Sequence, residues 1–269
     1  MYEEPYRWVE AVGNRRHYLD EQFKQGSPVV GVAYEAGILL MTMSKGTPKL
    51  YEIYDRLALG GMGHPADLEK VRFTLLETAH IEGFNRSPFD VTGSRMVKYG
   101  LAPVIKQAFE EVFKAPFIVK IILAELGQKI GKDSFLTVNY DGTFEEKNCY
   151  AMLGATPGVE QEMAAYLRSQ TIVSLDQAVN AAVCAWAVGD RAQRQAFAEP
   201  GEPSEAPTNL DRQVSDSDVL YDHVRQCMND KSIECALLDR QVPSTSKYRT
   251  IGPDELATLL PGDLGRSAA

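Results

Sequence analysis

KQGSPVVGVAYEAGILLMTMSKGTPKLYEIYDRL, residues 24–57, passes from Gly26–Ser27 straight into a hydrophobic run. Two apolar stretches, 29–34 and 37–43, are joined through Glu35-Ala36-Gly37, a spacing that suits a short β-hairpin. KLYEIYD (49–55) and LALGGMG (57–63) read as a second strand pair. Ser27, at the head of this four-strand run, has two readings. A hydroxyl placed just after a glycine could be a nucleophile released by self-cleavage, which needs a base, a tuning lysine and oxyanion donors around it. The other reading is a joint between helix and strand, where Gly26 permits the backbone reversal.

Working outward, residues 5–24 carry Trp8, Val12, Tyr18, Leu19 and Phe23 near helical spacing, and KQGSP stops the pattern. Beyond the strands, 64–87 places Leu68, Val71, Leu75, Leu76 and Ala79 on one helical face, with Pro65 suited to a first turn. The stretch 91–114 predicts a second long helix that Pro103 bends. Strands are expected at 117–126, 134–140 and 146–154, with Asp141-Gly142 turning the chain between the last two. Helical patterns follow at 158–169 and 174–197. The segment 198–218 is rich in Pro, Glu and Ser and reads as an exposed insertion. Strands at 232–239 and 247–251 and a short helix at 253–260 close the fold, leaving 261–269 as a loose tail. Runs of strands alternating with helix pairs do not suit a parallel βαβ sheet. They predict an α+β fold in one domain spanning 1–269, with two antiparallel sheets stacked and covered by helix pairs on both outer sides.

The formal net charge of −9 argues against a nucleic-acid partner, because phosphate binding needs a positive footprint. No apolar run approaches the roughly 20 residues needed to span a bilayer, and the acidic, aromatic start MYEEPYRWVE is unlike a secretory signal. A cytoplasmic location is the default expectation. Cys149, Cys184, Cys227 and Cys235 form no CxxC pair and show no neighbouring histidine partner, so they are expected to be reduced, mostly buried thiols. The histidines, at 17, 64, 80 and 223, lack the spacing of a metal motif. Neither a metal nor a cofactor is expected. LGGMGHP lacks the lysine and hydroxyl of a phosphate loop.

The order and spacing of GSPVVGVAY, KLYEIYDRLALGGMG, DVTGSR, AELG, YDGTF and SIECALLDR resemble the 20S proteasome superfamily, and most closely its bacterial α subunits. The likeness runs from about residue 5 to about residue 260, interrupted by 198–218. It implies the four-layer αββα sandwich of the N-terminal nucleophile hydrolases, with an additional N-terminal helix. Active β subunits of the superfamily expose an N-terminal threonine by self-cleavage. The α subunits are not peptidases; they form heptameric end rings that restrict access to the chamber.

The residues favour the α branch. Ser27 replaces the usual threonine, and Pro28 removes a backbone N–H beside the would-be centre. Met43 stands where the family pattern has an acid, LGATPG where it has a serine-glycine pair, and GDRAQR lacks the Asp-x-x-Ser arrangement. Of the catalytic set only Lys49 remains. On the α branch that lysine lines a pocket between neighbouring subunits, where its ammonium holds the terminal carboxylate of ATPase activator tails ending in a hydrophobic-Tyr-x pattern. Gly26 and Gly63 match glycines beside this pocket, with Gly60 and Gly61 as near competitors for the second place. The implied partners are a homo-heptameric ring, β subunits, the tails of an ATPase ring and unfolded protein substrates. Residues 1–8 would gate the passage, although the Tyr-Asp-Arg signature of archaeal and eukaryotic α subunits is absent there. Two alternatives stay open: a self-processing peptidase using Ser27, and a stand-alone structural ring.

Overall fold

The computed structural model describes residues 4–111, 113–197, 217–261 and 264. It opens with helix α1 (Glu4–Phe23), followed by strands β1 (Val29–Tyr34), β2 (Gly37–Ser44), β3 (Leu50–Tyr54) and β4 (Leu57–Gly63). Helix α2 (Pro65–Asn85) starts at His64, whose Nδ1 accepts from the Ala66 N–H at 3.2 Å while Pro65 occupies the first turn. Its inward face, Leu68, Val71, Leu75 and Ala79, is the expected one, with Leu76 only partly buried.

The expected single helix over 91–114 is instead a broken one. A 3₁₀ turn (Pro88–Asp90), the short α3 (Gly93–Arg95), a π-helical stretch (Met96–Leu101) and α4 (Ala102–Glu110) follow in series. Pro103 has no N–H to return to the preceding turn, and the wider π stretch sits directly ahead of it. Strands β5 (Val119–Glu125) and β6 (Ser134–Val138) then appear as expected. The Asp141-Gly142 turn is also present, with Gly142 at φ +80°. The expected third strand is two strands, β7 (Phe144–Lys147) and β8 (Tyr150–Leu153), which belong to different sheets. The chain crosses between sheets at Cys149, which takes φ +67°.

Helices α5 (Pro157–Arg168) and α6 (Leu175–Ala196) match expectation. Of the expected insertion, residues 198–216 lie outside the described ones. Ser217 and Asp218 are helical and open α7 (Ser217–Cys227), an element the sequence reading did not foresee. Strands β9 (Ser232–Asp239) and β10 (Tyr248–Thr250) and helix α8 (Pro253–Leu259) complete the chain. Within the expected tail, 262–263 and 265–269 lie outside the described residues, and Leu264 is buried. Residues 1–3 of the expected gate segment are likewise outside them.

The two sheets are antiparallel and five-stranded, ordered β10-β9-β2-β1-β8 and β3-β4-β5-β6-β7. Alternation along each strand sends side chains to opposite faces. In β1, Val30 and Val32 face the core that α5, α6, α7 and α8 cover, whereas Val29 enters the layer between the sheets with Ile38, Leu40, Ile122 and Phe135. The outer face of the other sheet packs Leu59, Ile121 and Leu123 against α2 and α4. This is an α+β sandwich of helices, sheet, sheet and helices.

Helix α1 is tied into this body. Leu19 and Phe23 are fully buried between the sheets, and Phe23 stacks on Tyr140 at 5.8 Å between ring centroids. Each contributes about 2 kcal/mol of burial. The Arg15 guanidinium donates to the carbonyls of Ala108, Phe109, Glu111 and Lys114 at 2.6–3.0 Å, capping the end of α4. The apolar face is narrower than the spacing predicts: Trp8 and Tyr18 remain about half exposed.

Candidate functional site

The joint between α1 and β1 is held from α6. Gln193 Nε2 donates to the carbonyls of Lys24 and Gly26, both at 2.7 Å, while its Oε1 accepts from the Ala155 N–H at 3.2 Å. Ser27 is buried, and its Oγ accepts from Trp186 Nε1 at 3.0 Å. An indole N–H is a donor only and cannot take the hydroxyl's proton. Thr42 Oγ1 donates to the Pro28 carbonyl at 2.7 Å. Met43, where an acid would be needed, is fully buried on the opposite, helix-facing side of β2 from Thr42.

Lys49 precedes β3, and its carbonyl accepts from the Gly61 N–H at 3.0 Å across the β3–β4 pair. Its own N–H and that of Leu50 both donate to the Glu234 carboxylate on β9, at 2.9–3.1 Å. The ammonium is half-buried; burial, reinforced by nearby Lys231, pulls its pKa below the ordinary lysine value, and Glu234 offsets this in part. Gly63 takes φ +135°, and a Cβ there would lie 2.0 Å from the Ile118 carbonyl oxygen. Glycine is therefore a backbone requirement at that position. Gly26 abuts the same strand, since a Cβ on it would come within 2.4 Å of Met62 Cε. Gly26 and Gly63 are both half-exposed, whereas Gly60 and Gly61 are buried, the first against Val29 and Leu50 and the second against Leu68. Met62 thus lies beside both nominated glycines, and the β3–β4 ladder joins the strand of Gly63 to Lys49.

Three elements converge on a polar cluster that the sequence reading missed. Asp190 of α6 is buried; its Oδ2 accepts from Arg194 Nε at 2.7 Å and lies 2.9 Å from His223 Nε2 of α7. Lys231 Nζ approaches Oδ1 at 3.6 Å. Burial alone would raise the Asp190 pKa, but the His223 hydrogen bond and the Lys231 and Arg194 charges outweigh it and hold the group below its ordinary value. Cys227 Sγ lies 3.7 Å from His223 Nε2 and 3.8 Å from Asp190 Oδ2. The expectation that no cysteine has a histidine partner is thus overturned for Cys227, because α7 stacks residues four apart on one face. Three of the four free thiols are buried and Cys149 is exposed. Lys120 is a second unforeseen buried cation, donating to the carbonyls of Gly154 and Ala155 at 2.9 and 3.2 Å.

No described helix is long and apolar enough to cross a membrane. No protein-family profile matches the chain. Among curated proteins it is similar to the proteasome subunit alpha of Thermobifida fusca, 26% identical over 251 residues that span 92% of this chain and 86% of the relative. The proteasome subunit alpha of Frankia casuarinae is 30% identical over 181 residues, covering 66% and 74% respectively. That of Acidothermus cellulolyticus is 28% identical over 164 residues, covering 60% and 68%.

Proposed function

Because the chain belongs to the proteasome α-subunit family, we propose that it is a catalytically silent α-type subunit of a bacterial 20S proteasome. It forms a homo-heptameric end ring, stacks on a ring of β subunits that supply the nucleophile, and regulates the passage of unfolded protein substrates. Its cellular place is the cytoplasm. The observation that carries this reading is the match to α subunits along nearly the whole chain, joined to an αββα sandwich. The setting of Ser27 supports silence: its hydroxyl meets an indole N–H, with a proline at its back.

In this reading Lys49, Gly26 and Gly63 dock the C-terminal carboxylates of an ATPase activator. A half-desolvated ammonium gains more from an incoming carboxylate than a solvated one does. Gly26 and Gly63, each partly exposed, carry no side chain to cover the backbone an incoming peptide tail would meet. Co-expression with a proteasome β subunit, followed by sizing and a fluorogenic peptide assay, tests the proposal. A co-eluting particle is expected whose peptide hydrolysis rises with a peptide ending in hydrophobic-Tyr-x. Lys49→Ala is expected to leave the particle intact and to weaken that stimulation by roughly tenfold or more in peptide concentration. Undiminished stimulation in the variant removes the pocket; failure to co-assemble with any β subunit removes the proposed complex.

A further inference from the structure

The Asp190–His223–Cys227 cluster has no part in the gating or docking just described. Its geometry excludes a nucleophilic relay. In a Cys–His–Asp relay the two imidazole nitrogens face different partners, but here His223 Nε2 alone faces both Cys227 Sγ and Asp190 Oδ2. Convergence of three donor atoms on one point suits a metal ion. Tetrahedral zinc, with Zn–S near 2.3 Å and Zn–N and Zn–O near 2.0 Å, sets sulfur-to-nitrogen and sulfur-to-oxygen edges of about 3.6 Å and a nitrogen-to-oxygen edge of about 3.3 Å. The corresponding separations are 3.7, 3.8 and 2.9 Å. Only the last must open, by a few tenths of an ångström.

We propose that Asp190, His223 and Cys227 form a binding site for a borderline first-row divalent cation, of the zinc class, joining α6 to α7. A mixed S, N, O donor set selects such ions over magnesium or calcium, which take oxygen shells. Binding replaces the thiol S–H bond by a metal–sulfur bond, with that proton leaving to solvent. It also replaces the hydrogen bond between His223 Nε2 and Asp190 by bonds from each to the metal, the ring keeping one proton on Nδ1 and giving up the one on Nε2. The fourth position is taken by water. Two cations already contact the cluster and define what must move. Arg194 donates to Asp190 Oδ2 and to Cys227 Sγ, the latter at 3.3 Å, so it competes directly for two of the ligands. Its side chain is 59% exposed and can retreat into water. Lys231 contacts the other oxygen, Oδ1, and remains beside it as an outer partner.

The test uses the full chain, reduced and stripped of metal, titrated with Co2+ and then with Zn2+ in competition. The expected result is the thiolate-to-cobalt charge-transfer band with the intense visible bands of a tetrahedral site, discharged by Zn2+. Cys227→Ser and His223→Gln are each expected to weaken cobalt binding by more than roughly tenfold, with the helical circular dichroism retained. Arg194→Ala keeps all three ligands, removes their competitor and is expected to bind more tightly, whereas Cys149→Ser leaves the titration unchanged. The proposal is overturned if neither the natural chain nor Arg194→Ala gives a thiolate band. It is overturned equally if the band survives Cys227→Ser, or vanishes with Cys149→Ser. None of these readouts depends on assembly into a proteasome.

Discussion

Tyr34, at the end of β1, shows how one side chain couples the outer core to pH. It is 7% exposed, and burial, followed by the negative charge of Asp239, pushes its phenol up to about 12. The folded value lies above the unfolded one. Its contribution is therefore complete below the ordinary phenol pKa of about 10 and is lost as pH rises toward the folded value. Two lysines, buried Lys120 and half-buried Lys49, act in the opposite direction. Burial lowers the pKa of Lys49 and of Lys120, so folding is favoured as pH climbs toward their unfolded values. A bare alkaline stability curve mixes these effects, whereas the comparison with Tyr34→Phe isolates one. Urea midpoints measured from about pH 9 to about pH 12 should show the natural chain losing on the order of 2 kcal/mol more than Tyr34→Phe. Parallel curves for the two proteins would assign the alkaline loss to other groups, such as Tyr51 and Tyr248, which are also raised to about 12.

At the scale of elements, α1 decides whether the first 26 residues are a part of the machine or a discarded leader. Excision after Gly26 would remove Leu19 and Phe23 from the layer between the sheets and free the α4 carbonyls that Arg15 caps. Arg15→Ala is expected to lower the unfolding free energy by roughly 2 kcal/mol, the scale of hydrogen bonds to a charged donor, read as a lower urea midpoint at unchanged slope. Arg15→Lys should recover little, because a single ammonium cannot span four carbonyls. Intact mass spectrometry of either variant should still give the whole chain. A mass lacking residues 1–26 would instead mean that Ser27 is released. The element the sequence concealed is α7. Leu220, Val224 and Cys227 recur at helical spacing and are its buried face, but the Pro- and Glu-rich run before them set the expected boundary at 218, inside the helix. The crossing at Cys149 was concealed for a different reason. Apolar residues continue across it, and a non-glycine residue at positive φ leaves no signature in the sequence.

For the whole molecule, the layers were legible because strand runs and helix pairs alternate in blocks, and because β1 and β2 are hydrophobic on both faces, as strands between two layers must be. The proposed docking residues were nominated only through resemblance: nothing in KGTPKLYEI sets Lys49 apart from a solvated lysine, and the Glu234 carboxylate that accepts from its backbone N–H lies 185 residues away. The Asp190 cluster was illegible for the same reason, since α6, α7 and the chain entering β9 each supply a part. The gate belongs to this scale as well. On the proposed reading residues 1–8 restrict passage through the ring, and Trp8 and Val9, at the start of α1, present apolar surface to solvent. Trimming residues 2–8 leaves Arg15, Leu19 and Phe23 in place, so the subunit should keep its thermal midpoint and its particle size. Basal hydrolysis of a fluorogenic peptide by the assembled α–β particle should then rise severalfold, with little further gain from an activator tail. If hydrolysis is unchanged while the tail still stimulates, the barrier is formed by some other part of the ring, and α1 serves only to brace the sandwich.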